Sequence, residues 1–168
     1  MRILWLLILN VLLLLNTLSC TEVECPIDSV VVMTCGIYDA DSKEKYELRE
    51  TLTVTPFGKD TVLLNSATGI QDFVLPLRII ESCDTMLFHF IDDKGLNATD
   101  TLFISHENIP HFEAVECPTT YFHKLTNITF SNDCGLSSRV KIDSVDIVRD
   151  LVDYYDVENI QIYLRIAP

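Results

Sequence analysis

Strand-length apolar segments, each cut off after a few residues by proline, glycine or paired acids, constrain this chain more than any other feature. Asp28-Ser-Val-Val-Val-Met-Thr-Cys-Gly-Ile-Tyr38 is β-branched and lies between Pro26 and the acidic turn Asp39-Ala-Asp-Ser-Lys-Glu44. Those borders predict a first strand and its loop. Tyr46 to Val54 predicts a second strand, stopped by Pro56-Phe-Gly58, and Thr61 to Leu64 a short third. Asp72 to Ile80 predicts a fourth, and Pro76, which cannot donate to a ladder, assigns it to a sheet edge or a bulge. Further on, Met86, Phe88 and Phe90 share one face of a strand and Leu87, His89 and Ile91 the other. Both faces are largely apolar, so this strand is expected to be central and buried on both sides. Asp92-Asp-Lys-Gly95 then turns the chain into Thr101-Leu-Phe-Ile-Ser105, completing a hairpin.

The second half adds strands over Thr119 to Phe130 and Val140 to Ile142. Within Asp143 to Tyr155, Val148, Leu151, Val152 and Tyr155 fall at i, i+3, i+4 and i+7 behind an Asp or Ser cap, which predicts a short helix. In Ile160-Gln-Ile-Tyr-Leu-Arg-Ile166 the aliphatics take every second position, so Gln161, Tyr163 and Arg165 should look outward from a last strand. Many strands and one late helix imply an all-β chain, an antiparallel β-sandwich with one short helix before the final strand.

The N-terminus sets the compartment. Met1-Arg2 is a basic start, Ile3 to Leu15 is apolar except at Asn10, and Thr17 and Ser19 form a small-residue pair suited to cleavage. Residues 1–19 therefore read as a secretory signal peptide, followed by one domain over 20–168. An uncleaved anchor and a lipoprotein signal at Cys20 are the rival readings. The formal net charge is -13, and losing Arg2 takes it to -14. Such a charge disfavours nucleic acid and anionic lipid and favours a basic partner. No later segment is apolar for long enough to span a bilayer, so stable membrane insertion after cleavage is not expected.

An oxidising route favours disulfides, and Cys25, Cys35, Cys83, Cys117 and Cys134 are the candidates. No Cys-x-x-Cys pair is present, so metal chemistry is not indicated and Cys83 reads as a staple within the domain. Cys20 is a sixth cysteine if cleavage precedes it.

Motifs for catalysis are missing. His106 and His111 are five apart with Pro110 between them, so they cannot share a helical face as a zinc-protease motif requires, and the segment reads as a surface loop. His89 and His123 sit among apolar neighbours and read as hydrogen-bonded core residues. There is no Gly-x-Ser-x-Gly elbow and no glycine-rich phosphate loop. Neither an enzyme activity nor a cofactor is expected. Asn97-Ala-Thr99 and Asn127-Ile-Thr129 are acceptor sequons for N-linked sugar in a eukaryotic secretory route.

Cys35 closing an early strand, Leu77-Arg-Ile-Ile-Glu-Ser-Cys83 within a central strand pair, Cys117, and Asn132-Asp-Cys-Gly135 before the last strand resemble the poxvirus immune evasion domain. That resemblance spans roughly Asp28 to Ile166. It implies a β-sandwich of the kind found in secreted chemokine-binding proteins and in the C-terminal extensions of viral tumour necrosis factor receptors. The expected function is a secreted decoy that sequesters a host chemokine or cytokine. A binder of class I histocompatibility molecules inside the secretory pathway and an unrelated secreted β-domain are the alternatives. The run Asp39, Asp41, Glu44, Glu47 and Glu50 is the candidate patch for steering a basic ligand, with a solvated loop as the competing account.

Overall fold

The structure is a computed structural model that describes Cys25, residues 31–132 and residues 140–166. The signal segment, Cys20 and Cys134 lie outside the described residues. Ten strands follow in order: β1 Val32–Asp39, β2 Thr51–Pro56, β3 Leu64–Ala67, β4 Asp72–Pro76, β5 Cys83–Ile91, β6 Asn97–His111, β7 Thr120–Ser131, β8 Val140–Ile147, β9 Leu151–Val152 and β10 Glu158–Ile166. They form one sheet ordered β4-β1-β10-β8 and a second ordered β3-β2-β5-β6-β7-β9. β1 and β10 run parallel; the other pairings are antiparallel.

One core joins the sheets. Met33, Cys35 and Ile37 of β1 and Ile160, Ile162 and Leu164 of β10 enter it from the first sheet. Leu52, Val54, Met86, Phe88, Phe90, Leu102 and Ile104 enter from the second. Phe73 of β4 meets Phe88 of β5 edge to face, with ring centroids 6.1 Å apart, a geometry that aligns ring edge with ring face. As Pro76 suggests, β4 is an edge strand and the proline ends it.

Gly36 shows how closely β1 and β10 approach. A Cβ there would strike the Glu158 carboxylate and come within 2.8 Å of the Tyr38 ring. Glu158 cannot easily move, because it accepts hydrogen bonds from Tyr38 Oη and Gln161 Nε2, each at 2.8 Å, and pairs with Lys45 Nζ at 3.2 Å. Gly36→Ala is expected to cost about 1–2 kcal/mol by overpacking. A lower urea midpoint at unchanged m-value, largely restored by adding Glu158→Ala, would show it.

Several expectations are corrected. No helix occurs among the described residues: Val140–Ile147 stays in the first sheet, pairing with β10, and Leu151–Val152 crosses to pair with β7. Asn159 makes this crossing possible. Its backbone carbonyl accepts from Val148 N and Arg149 N, and its Nδ2 donates to Arg149 O and Leu151 O. Those tertiary bonds take the backbone groups that a helix would have used, and the β-branched valines suit the extended chain. The helix-like i, i+4 pair Arg149–Asp153 survives as an ion pair at 2.6 Å without a helix.

The remaining differences follow from which face meets the core. β5 is central, but only its Met86–Phe88–Phe90 face is buried; Leu87 and His89 are half-buried and Ile91 is exposed. Residues Tyr46 to Glu50 form no strand and run as an irregular connection into β2. Tyr163 points away from the core yet is covered by Lys43, whose Nζ lies 4.1 Å from its ring centroid. His106 and His111 lie on β6 rather than in a loop.

Cys25 pairs with Cys117, while Cys35 and Cys83 carry free thiols. Cys35 points into the core and Cys83 toward the exposed side of β5, so the two cannot meet. Burial pushes the Cys35 thiol far above its usual value, with Glu158 adding to the shift. Asn97 and Asn127 are both exposed, on β6 and β7.

Candidate functional site

Of the five candidate acids Asp39 ends β1 and the other four lie in the connection to β2, without forming one row. Asp39 Oδ1 accepts from Ser42 N at 2.7 Å and Asp41 N at 3.0 Å, and these donors hold its carboxyl below the usual value. Asp41 pairs with Arg165 at 3.3 Å. Glu50 accepts from Tyr46 Oη at 3.2 Å. Glu47 lines a shallow depression of about 470 Å³ with Gly69, Ile70, Gln71 and Asp72, and Glu44 is exposed in the turn. Lys43, Lys45 and Arg49 are interleaved with them, so the local field is weaker than the acids alone suggest.

A more specific construction stands where β5 begins. Asp84 is the first core-facing residue of β5, 2% exposed, on the face that carries Met86, Phe88 and Phe90. A carboxylate there must be compensated. Its Oδ2 accepts from Arg78 N at 3.0 Å and from His106 Nε2 at 3.0 Å, and its Oδ1 accepts from Arg78 Nε. Register explains the histidine. Asp84 opposes Ile104, so His106 is the next core-facing residue along β6.

Two residues further, Asn108 continues the network. Its Nδ2 donates to Ile79 O at 2.9 Å and Glu81 O at 2.7 Å, leaving Oδ1 to accept from His123 Nδ1 at 2.7 Å. That assignment makes His123 the Nδ1–H tautomer. Burial, and then the neighbouring His106, push the His123 pKa down to about 4, so the ring is neutral at physiological pH. The two imidazoles meet edge to face at 5.0 Å. With Nε2 donating to Asp84, His106 keeps a buried Nδ1 that has no hydrogen-bond partner among the described residues.

Several of these bonds converge on one short loop. Besides the bonds to residues 78, 79 and 81, His106 N donates to Ser82 O at 2.9 Å and Arg78 Nη2 donates to Cys83 O at 2.6 Å. The carbonyls of Ile79, Glu81, Ser82 and Cys83 are thus taken up by β6 or by Arg78, and the Arg78 N–H by Asp84. The side chains do the opposite. Ile79 is 53% and Ile80 90% exposed, and Phe57, whose N–H donates to Thr85 O at the same end of β5, is 69% exposed. Lys59 joins Leu77, Arg78, Ile79, Ile80 and Glu81 around an open depression of about 430 Å³.

Residues 51–164 match the family model described as a family of unknown function, DUF6452. The chain belongs to that family. No curated protein and no solved structure matches the chain. The DUF6452 match carries no link to the poxvirus immune evasion domain. It begins at the first residue of β2, so β1 lies outside it although β1 sits between β4 and β10. The clamped loop and its four supporting side chains, Asp84, His106, Asn108 and His123, all lie inside it.

Sequence reading placed His123 correctly among hydrogen-bonded core residues and missed the other three. Strand parity holds the signal: Asp84 shares its face with Met86 and Phe88, and His106 shares its face with Leu102 and Ile104. A charged or titratable residue on an apolar face demands a partner.

Proposed function

We infer that the chain is a β-sandwich binding module acting outside the reducing cytoplasm, and that it engages a protein partner by inserting Ile79 and Ile80 into an apolar pocket. The observation that carries this reading is the contrast within one loop, whose backbone is held by side chains of Asp84, Asn108 and Arg78 and by the His106 N–H while its largest apolar side chains face solvent. Holding exposed isoleucines rigidly has no benefit for folding. It does benefit binding, because a pre-ordered loop loses less entropy on association. The Cys25–Cys117 bridge supports an oxidising setting. The net charge of -13 favours a partner of basic surface, attracted before the apolar contact forms.

The test compares proteins retained by the immobilised chain with those retained by Ile80→Asp and by Val148→Asp, a substitution at an exposed position of the β8–β9 connection. Ile80→Asp is expected to leave the melting transition within about 0.5 kcal/mol of the parent, because the side chain is exposed. It should weaken retention of the specific partner more than about tenfold, while Val148→Asp does not. Equal retention by all three chains would rule the loop out.

A further inference from the structure

A broad part of the outward side of the second sheet lacks charge. Opposite the core, the positions from Thr51 to Thr55 on β2, Thr85 to Ile91 on β5, Asn97 to Ser105 on β6 and Asn127 to Ser131 on β7 hold no Asp, Glu, Lys or Arg. Cross-strand register sets them in rows. One runs Thr53, His89, Thr99, tied by a 2.7 Å hydrogen bond between His89 Nδ1 and Thr99 Oγ1. The next runs Thr55, Leu87, Thr101, and beyond it Phe103 stands 37% exposed. Among the described residues charge returns at the borders, with Glu107 opposite Lys124 at one end and Asp93 and Lys94 in the β5–β6 turn at the other.

In a chain of which 22% is charged, a sheet face without charge is a surface set apart. We propose that it is the self-association face of this protein, on which a second copy packs sheet to sheet about a two-fold axis. Charge argues for this occupant. Two bodies of net charge -13 repel, and the contact that costs them least is one where no carboxylate meets another. Chemistry argues for it too: threonine methyls, Leu87 and Phe103 supply apolar contact, and their neighbouring hydroxyls can pair with the same hydroxyls across the axis. Fifteen outward positions on four strands, each covering about 4.8 Å by about 6.7 Å of the sheet, give a patch of roughly 500 Å². Two such patches bury about 1,000 Å², the lower end of what stable association needs, so the dimer should be of moderate affinity. This face shares no residue with the 78–82 loop, which it borders at Cys83 opposite Ser105, and its test reads self-association rather than retention of the partner proposed above.

Sedimentation velocity on the full chain, made without N-linked sugar because Asn97 and Asn127 project from the same face, tests the proposal. A concentration-dependent dimer is expected, and it should tighten as salt rises, because salt screens the repulsion between the acidic bodies. Leu87→Asp and Phe103→Asp should each weaken it more than about tenfold by placing like charges across the axis, with the thermal transition retained. A chain that stays monomeric at concentrations of roughly 100 µM overturns the proposal, and retention of that monomer by a neutral polysaccharide would reassign the face. Dimerisation unchanged by both substitutions overturns it equally.

Discussion

Replacing Asp84 with alanine is expected to cost about 3 kcal/mol of folding stability and to release the loop from Arg78 to Ser82. The carboxylate accepts three hydrogen bonds, two of them from Arg78 and one from a buried histidine. Removing it leaves His106 Nε2–H and Arg78 N–H without their acceptor, and an unsatisfied buried donor costs more than the lost bond was worth. The Arg78 guanidinium is about half exposed, with a side-chain accessibility of 48%, so water can take over its charge. The penalty therefore falls on the histidine and the loop backbone. Urea denaturation measures it, and a change below about 0.5 kcal/mol would mean that the network contributes nothing to the fold.

Acid should act on the same network through His123. The ring titrates near 6.5 in an unfolded chain and is pushed down to about 4 by burial and by His106. The fold therefore favours the neutral form. Above the unfolded value both states are neutral and stability does not depend on this group. As pH falls from about 6.5 toward 4 the unfolded chain takes up the proton first, and stability drops by up to about 3 kcal/mol. The drop ends below the folded value, where both states carry the charge. Denaturation midpoints measured between pH 7 and 4.5 should decline along this course. His123→Gln, which keeps a donor for Asn108 Oδ1, should flatten the decline; an equal slope in both chains would assign the acid sensitivity to other groups.

The strands were legible in the sequence because alternation along β5, β6 and β10 has a direct physical cause in the buried sheet face. Pro76 marked an edge strand for an equally local reason. The segment from Asp143 to Tyr155 misled because Val148, Leu151, Val152 and Tyr155 satisfy a helical spacing by side-chain type alone. What decides that segment is Asn159, a partner encountered only after folding, whose carbonyl and amide hold the chain extended. Tyr163 was covered for a similar reason, since Lys43 reaches it from a connection more than a hundred residues away in sequence. The candidate site was half visible. The parity of Asp84 and His106 was readable, but their meeting depends on the β5–β6 register, and that the loop exposes Ile79 and Ile80 depends on Asn108 drawing in the carbonyls of Ile79 and Glu81.

The rigidity of that loop is the central claim, and the amide of Arg78 reports on it most directly. Its N–H donates to Asp84 at 3.0 Å although the loop is at the surface. Hydrogen exchange of Arg78 N–H should be protected nearly as well as the core amides of β5 in the native chain, and lose most of that protection in Asn108→Ala. Exchange at the rate of an open loop in the native chain would contradict the account, because isoleucines on a mobile loop would not be held ready for a partner.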